Sequence, residues 1–263
     1  MSKETSIKLA YPNNLLKDKV SIVTGGSRGI GRAAALRFAE AGAHIVINYV
    51  RNEKGATELA QQVRSTGREA LIVQADVAKL GDAERLVHVT LDHFNRCDIL
   101  VANAGIWEGD PVENMSEELW DRVLDTNLKG TWTVCRSVVP AMKKQGFGSI
   151  VIISSTAGQR GEAGYSNYAA SKGGQISFTK ALSTELAPTI RVNCVAPGWV
   201  DTEMSDSAYN DPDEFKRIID AIPLKRVASA DDVALSIVFL ASDLSRHITG
   251  EVLNINGGSV LCG

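Results

Sequence analysis

A short apolar run, Lys19-Val20-Ser21-Ile22-Val23, leads straight into Thr24-Gly25-Gly26-Ser27-Arg28-Gly29-Ile30-Gly31. From Arg32 to Ala41 apolar residues then recur at helical spacing through Ala35, Leu36 and Ala39, and Gly42 offers a helix C-cap. Strand, glycine turn and helix in that order form the setting a dinucleotide requires. Glycines let the backbone approach a pyrophosphate, and the first turn of the helix presents free N–H groups and a partial positive charge. The spacing is Gly-x-x-x-Gly-x-Gly, and it marks Gly25, Ser27, Arg28, Gly29, Ile30 and Gly31 as candidate cofactor contacts.

The next strand, His44 to Tyr49, bears on which nucleotide is taken. An acidic residue at its end would bind ribose hydroxyls, whereas a 2′-phosphate requires a cation and no carboxylate. Asn48-Tyr49-Val50-Arg51 holds no carboxylate. Tyr49 and Arg51, with Arg28 in the turn, therefore favour NADP(H) over NAD(H), the guanidinium geometry suiting a phosphate. The alternative is a pair of solvated surface arginines.

Strand and helix patterns go on alternating. Helices are expected over 53–65, 82–94, about 116–144 and up to about Leu186, with strands over 70–74, 99–101, 149–153, 190–195 and 252–255. Apolar strands alternating with helices imply an α/β chain with a parallel sheet covered on both faces, ligands lying beyond the strands' carboxyl ends. Asp76 with Val77, and Asn103 with Ala104 and Gly105, fall at such ends and are candidates for the cofactor's adenine side. At 263 residues, 44% hydrophobic, the chain is long enough for one large domain, here 17–263, preceded by a polar arm over 1–16.

Charge and composition exclude several partners. A net charge of −3 argues against nucleic acid or an anionic membrane as the main partner. MSKETSIKLA lacks an apolar signal core, and no run approaches a membrane span, so a cytoplasmic location is expected. Cys97, Cys135, Cys194 and Cys262 lie far apart without a C-x-x-C and read as reduced structural thiols. The four histidines are scattered, and no metal is expected.

The densest chemistry lies between Ser154 and Lys172, SSTAGQRGEAGYSNYAASK. Ser155 follows an apolar strand, and thirteen positions later Tyr168 and Lys172 stand one helical turn apart. A phenol beside an ammonium is a proton donor whose pKa the opposite charge lowers. A surface pair is the alternative, since the spacing is common. Further back, Asn127 is a poor helix former inside a helical stretch, which fits a residue that bonds a disrupted backbone or a water, or one on a solvated face.

Taken together, TGGSRGIG, ANAG, Asn127, Ser155, Tyr168-x-x-x-Lys172 and Pro197-Gly198-Trp199-Val200-Asp201-Thr202 resemble the short-chain dehydrogenase/reductase family in order and spacing, from Lys17 to the C-terminus. Within it the chain most resembles the β-ketoacyl-acyl-carrier-protein reductase branch. Ala102 departs from the pattern, where the family often has a second asparagine, and Asn103 retains the polar role. The resemblance implies a doubly wound Rossmann fold with a seven-stranded parallel sheet, Val252–Ile255 being the seventh strand, and a homotetramer built through the Asn127 and Tyr168 helices. It implies that Tyr168 is the general acid or base, that Lys172 lowers its pKa and holds the nicotinamide ribose, and that Ser155 bonds the substrate oxygen. Asn127 would hold a water leading to Lys172. Pro197, Gly198, Val200 and Thr202 would fix the carboxamide.

Substrate choice is expected to reside in Trp107, Gln159, Glu162, Tyr165, Trp199 and Met204, under a lid over about 199–226. Carrier-protein-dependent members carry two entrance arginines. Gly146 and about Thr189 occupy those places here, with Lys143, Lys144 and Arg191 as the nearby substitutes. The expected activity is NADP(H)-dependent reduction of a small carbonyl, 3-oxoacyl-carrier-like. A sugar or polyol dehydrogenase and a non-catalytic nucleotide-binding regulator are the alternatives.

Overall fold

The structure is a computed structural model, and it describes residues 14–261. Of the expected arm over 1–16, residues 1–13 lie outside the described residues, as does Cys262. Leu16, grouped with the arm by its polar surroundings, is instead buried, and its N–H donates to Ala41 O at 2.9 Å, so the packed domain already includes it.

The chain runs β1 (Val20–Val23), α1 (Gly29–Glu40), β2 (His44–Tyr49), α2 (Glu53–Ser65), β3 (Ala70–Gln74), α3 (Leu80–Phe94) and β4 (Ile99–Ala102). After a long loop come α4 (Glu117–Leu124), a π-helical segment (Asp125–Lys129), α5 (Gly130–Gln145), β5 (Gly148–Ile153), a single turn α6 (Ala157–Arg160) and α7 (Ser166–Leu186). The remainder is β6 (Ile190–Pro197), β7 (Val200–Asp201), α8 (Asp206–Tyr209), α9 (Pro212–Ala221), β8 (Ala228–Ser229), α10 (Ala230–Ala241) and β9 (Val252–Ile255).

Seven strands form one parallel sheet in the order β3-β2-β1-β4-β5-β6-β9. The period-2 alternation of a strand sends its side chains to two separate cores. Val23, Ile45, Ile47, Val101, Val151 and Val195 face α1, α2 and α10 on one side. Ile22, Val46, Leu100, Ile150, Ile152 and Val192 meet Leu86, Val134, Val138 and Met142 of α3 and α5 on the other.

The sequence order reverses between β1 and β4, and there the carboxyl ends open into a crevice. Its floor is tied from both strands. Thr24 Oγ1 accepts from Asn103 N at 2.9 Å and Ala104 N at 3.0 Å, while Asn103 Nδ2 donates to Thr24 O at 2.9 Å. The glycine turn fits so closely that a Cβ at Gly31 would stand 2.5 Å from both Gly25 O and Asn103 Nδ2. Only the absence of a side chain lets α1 begin there.

Helix 116–144 of the sequence reading is two helices joined by the π-helical segment that holds Asn127. Ser116 caps the first by accepting from Leu119 N at 3.1 Å. The lid contains a feature not anticipated, a two-residue parallel pairing of β7 with β8 that closes residues 200–229 into a loop of their own.

Candidate active site

Carboxyl ends of β1, β4, β5 and β6 surround a cavity of about 130 Å³. Ser155, Tyr168 and Lys172 line it together, with Asn103, Gly105, Pro197, Gly198, Val200 and Thr202 around them. Ile30 enters from the first turn of α1, and Trp107, Glu162, Trp199 and Met204 form the outer wall.

The catalytic candidates are held from behind by backbone bonds. Ser154 N donates to Val195 O at 2.8 Å and Ser154 Oγ to Lys172 O at 2.8 Å, which clamps the end of β5 between β6 and α7. Ser155 follows, its hydroxyl accepting from Ala157 N at 3.1 Å. Tyr168 and Lys172 lie one turn apart on α7, both buried, with Lys172 Nζ 5.6 Å from the centre of the tyrosine ring. The ammonium donates to Ile153 O at 2.8 Å.

The electrostatics differ from expectation in one respect. Burial pushes the Tyr168 phenol up to about 12, with Ser155 acting to lower it and the Glu162 charge adding to the rise. Burial also brings the Lys172 ammonium down to about 8. For both groups burial is the largest cause of the shift. At neutral pH the pair is a protonated phenol beside an ammonium, the arrangement a proton donor needs.

Asn127 acts through its contacts. Its Oδ1 accepts from Ile106 N at 2.8 Å, and its Nδ2 donates to Ile106 O and to Ser171 Oγ, each at 3.0 Å. The π-helical turn frees its carbonyl, which accepts from Thr131 Oγ1 at 2.8 Å and Gln175 Nε2 at 2.9 Å. Both carbonyl lone pairs and the side chain are therefore engaged by protein. Asn127 fixes the loop after β4, whose Gly105 is so placed that a Cβ there would lie 3.1 Å from Asn127 Oδ1 and 3.6 Å from Lys172 Nζ.

On the cofactor side, α1 starts at Gly29 with no side-chain cap from Arg28 and no acidic residue in its first turn, so its N-terminal N–H groups are unclaimed. That donor set and the Gly25–Gly31 cradle fit a pyrophosphate. Tyr49 is buried, Arg51 two residues on is exposed, as is Arg28 in the glycine turn, and no carboxylate stands at the end of β2. Asn48 ties this end together, its Nδ2 donating to Ala75 O at 2.8 Å and its Oδ1 accepting from Gly25 N at 3.3 Å. Asp76 is used locally, accepting from Ala78 N at 3.1 Å and pairing with Lys79 at 3.5 Å, and Val77 is buried behind it. Thr202 reaches the glycine turn, its methyl 3.5 Å from where a Gly29 Cβ would be.

The outer wall is aromatic. Trp107 stacks on Tyr165 with centroids 4.7 Å apart and meets Trp199 edge-on at 5.6 Å, and Tyr209 and Phe215 extend the chain of rings into the lid. Gln159 does not join this wall. It turns away to donate to Asn254 Oδ1 at 2.7 Å, and Arg160, the next residue, lines the cavity in its place. Ile106, Thr156 and Ser205 are further lining residues that spacing alone did not indicate.

The expected carrier-docking substitutes are not at the cavity of this chain. Lys143 and Lys144 end α5, and Arg191 opens β6, so all three sit at the amino edge of the sheet, roughly 20 Å from Ser155 along a six-residue strand. Arg191 is moreover engaged, donating to Ser245 Oγ at 3.0 Å and to Ser242 O at 3.1 Å.

Among the described residues no helix is long and apolar enough to cross a membrane. A family model described as enoyl-(acyl carrier protein) reductase matches residues 25–259. A 3-oxoacyl-[acyl-carrier-protein] reductase of Staphylococcus epidermidis is 38% identical over 242 residues, covering 92% of this chain and 98% of that protein. Its counterpart in Chlamydia trachomatis is 42% identical over 248 residues, covering 94% and 99%. Among solved structures, a putative short-chain alcohol dehydrogenase from Sinorhizobium meliloti superposes with a TM-score of 0.89 at 35% identity, covering 93% of this chain and 97% of that one.

Proposed function

Because the chain belongs to the short-chain dehydrogenase/reductase family, NAD(P)-dependent oxidoreductases acting on a carbonyl or hydroxyl group, we propose that it reduces a ketone with NADP(H), in the manner of a 3-oxoacyl reductase. The observation that carries this reading is the convergence of Ser155, Tyr168 and Lys172 on one cavity whose inner wall is Ile30 and Thr202 and whose outer wall is aromatic. The reduced nicotinamide, when bound, supplies the hydride.

The residues supply the rest. Ser155 and Tyr168 donate to the ketone oxygen, and a donor aimed at developing charge contributes about 3 to 4 kcal/mol. Tyr168 passes its proton to that oxygen as the C–O bond becomes an alcohol. A phenol held protonated by burial favours this direction over alcohol oxidation, which needs the phenolate. Lys172 stays charged below about pH 8 and holds ribose hydroxyls. Val200 and Thr202 orient the carboxamide end, and Arg28 and Arg51 take the 2′-phosphate. The cavity of about 130 Å³ is near the ~150 Å³ that accepts a single benzene ring. Nicotinamide and ketone together need more, so Met204 and Ser205 of the lid must give way.

We place the protein in the cytoplasm as a homotetramer. Half-exposed Trp120 and Trp132 on α4 and α5, and the small Ala169, Ala170, Gly173 and Gly174 of α7, support helix packing between copies. The test of the function is loss of NADPH absorbance, against NADH, over a panel of 3-oxoacyl thioesters, diketones and hydroxyketones, with Tyr168→Phe as control. A parent that turns over none of them, or a Tyr168→Phe variant as active as the parent, sinks the reading.

A further inference from the structure

Among the described residues Glu162 is the one acidic side chain lining the cavity, and it is half-buried there. Removing a carboxylate from water is costly unless donors replace the water. Its donors are few. Burial raises its pKa, and the Arg160 charge and the neighbouring Trp107 indole act the other way. Trp107 has no freedom to follow the carboxylate elsewhere, being stacked on Tyr165 and braced edge-on by Trp199. A carboxylate has about four lone-pair positions, so most of its acceptor capacity faces the cavity. Glu162 shares this cavity of about 130 Å³ with Ser155 and Tyr168, so a small ketone bound there lies against all three.

We propose that Glu162, on the cavity wall with Trp107, accepts a hydroxyl adjacent to the reacting carbonyl, so that the substrate is a small hydroxyketone. This rests on the ketone-reductase reading and narrows it. A 3-oxoacyl thioester brings no hydroxyl next to its ketone and would leave the carboxylate dehydrated without a donor. A substrate with a carboxylate at that place would meet Glu162 as a like charge. An ammonium there would meet Arg160 at the same wall. A hydroxyl satisfies the acceptor without adding charge. The cavity of about 130 Å³, walled by Trp107 and Trp199, suits a compact skeleton.

The experiment uses pairs of ketones matched in size, 1-hydroxy-2-butanone against 2-pentanone and 2-hydroxycyclohexanone against 2-methylcyclohexanone, with the full-length protein and NADPH. A hydrogen bond to a charged acceptor is worth about 10- to 100-fold in kcat/KM, and that is the preference expected for the hydroxylated member. In Glu162→Leu the preference is expected to fall toward one, whatever the absolute rates, and Glu162→Gln, which keeps an acceptor oxygen, to lie between. A ratio near one in the parent, or an unchanged ratio in Glu162→Leu, overturns the proposal, as does a thioester turned over better than every hydroxyketone. Titration of the matching alcohols, diol against methyl alcohol, into the NADP⁺ complex by tryptophan quenching reads the same preference without turnover. A parent that binds the diol preferentially but reduces nothing keeps this recognition and sinks the reductase reading instead.

Discussion

Replacing Lys172 by Met should stabilise the protein at neutral pH and by an amount that shrinks as the pH rises. Burial holds the lysine's folded pKa near 8, against 10.5 for the free side chain. A base whose folded pKa is depressed destabilises the fold wherever it is charged in both states. Below about pH 8 that full cost is present, 2.5 units or roughly 3 kcal/mol. Between pH 8 and 10.5 the unfolded chain binds the proton and the folded one does not, so stability rises with pH and the cost disappears. Met has similar length and no charge. Urea unfolding of parent and variant at one protein concentration should therefore show Lys172→Met ahead at pH 7, its lead smaller by about 2 kcal/mol at pH 9.5. The comparison stops there because Tyr168, held near 12 when folded, begins to work in the opposite direction as free tyrosine titrates. A lead that stays constant or grows between pH 7 and 9.5 refutes the claim that Lys172 is held dehydrated.

Other outcomes follow from the same contacts. Asn127→Ala strips partners from Ile106 N, Ile106 O and Ser171, and should lower stability by about 2 to 4 kcal/mol, seen as a thermal midpoint lower by more than about 5 °C; a shift within about one degree contradicts the clamp. Gly31→Ala places a methyl 2.5 Å from Gly25 O and Asn103 Nδ2, so both stability, by about 1 to 3 kcal/mol, and NADPH affinity by fluorescence titration should fall. The Arg28→Ala, Arg51→Ala double variant should lose about tenfold or more of the NADPH over NADH ratio in kcat/KM, and an unchanged ratio would show that neither guanidinium reads the phosphate.

How much was legible in the sequence depended on how local the cause was. Strand β1, the glycine turn and α1 could be read because Gly25, Gly29 and Gly31 meet a steric requirement within a dozen residues, and β2, α2 and β3 because their apolar periods are clean. Tyr168 and Lys172 could be placed on one face since one helical turn settles it. Their dehydration could not, because it comes from β5, β6 and the loop after β4 closing over them, and it raises the phenol's pKa where the neighbouring charge alone would lower it. Asn127 looked anomalous as a helix former, yet the π-helical turn around it exists through bonds from Thr131 and from Gln175 on another helix. Gln159 and Arg160 differ by about 100° around the single turn of α6, so distance from Ser155 cannot decide which faces the cavity. Lys143, Lys144 and Arg191 looked close to the serine strand along the chain, and it is the strand's length that carries them to the far edge. Pairing of β7 with β8 involves two residues on each side and leaves no period to detect. The capping box at Ser229 and Asp232 that opens α10 was by contrast present as a local signal and went unused.

The account rests on Tyr168 delivering the proton. Its most direct test is NADPH consumption with the best ketone substrate by parent and Tyr168→Phe, alongside NADPH affinity for each. The expected result is a fall in kcat of about 10²- to 10⁴-fold with affinity retained. A variant that binds NADPH as the parent does and reduces the ketone at a comparable rate would contradict it.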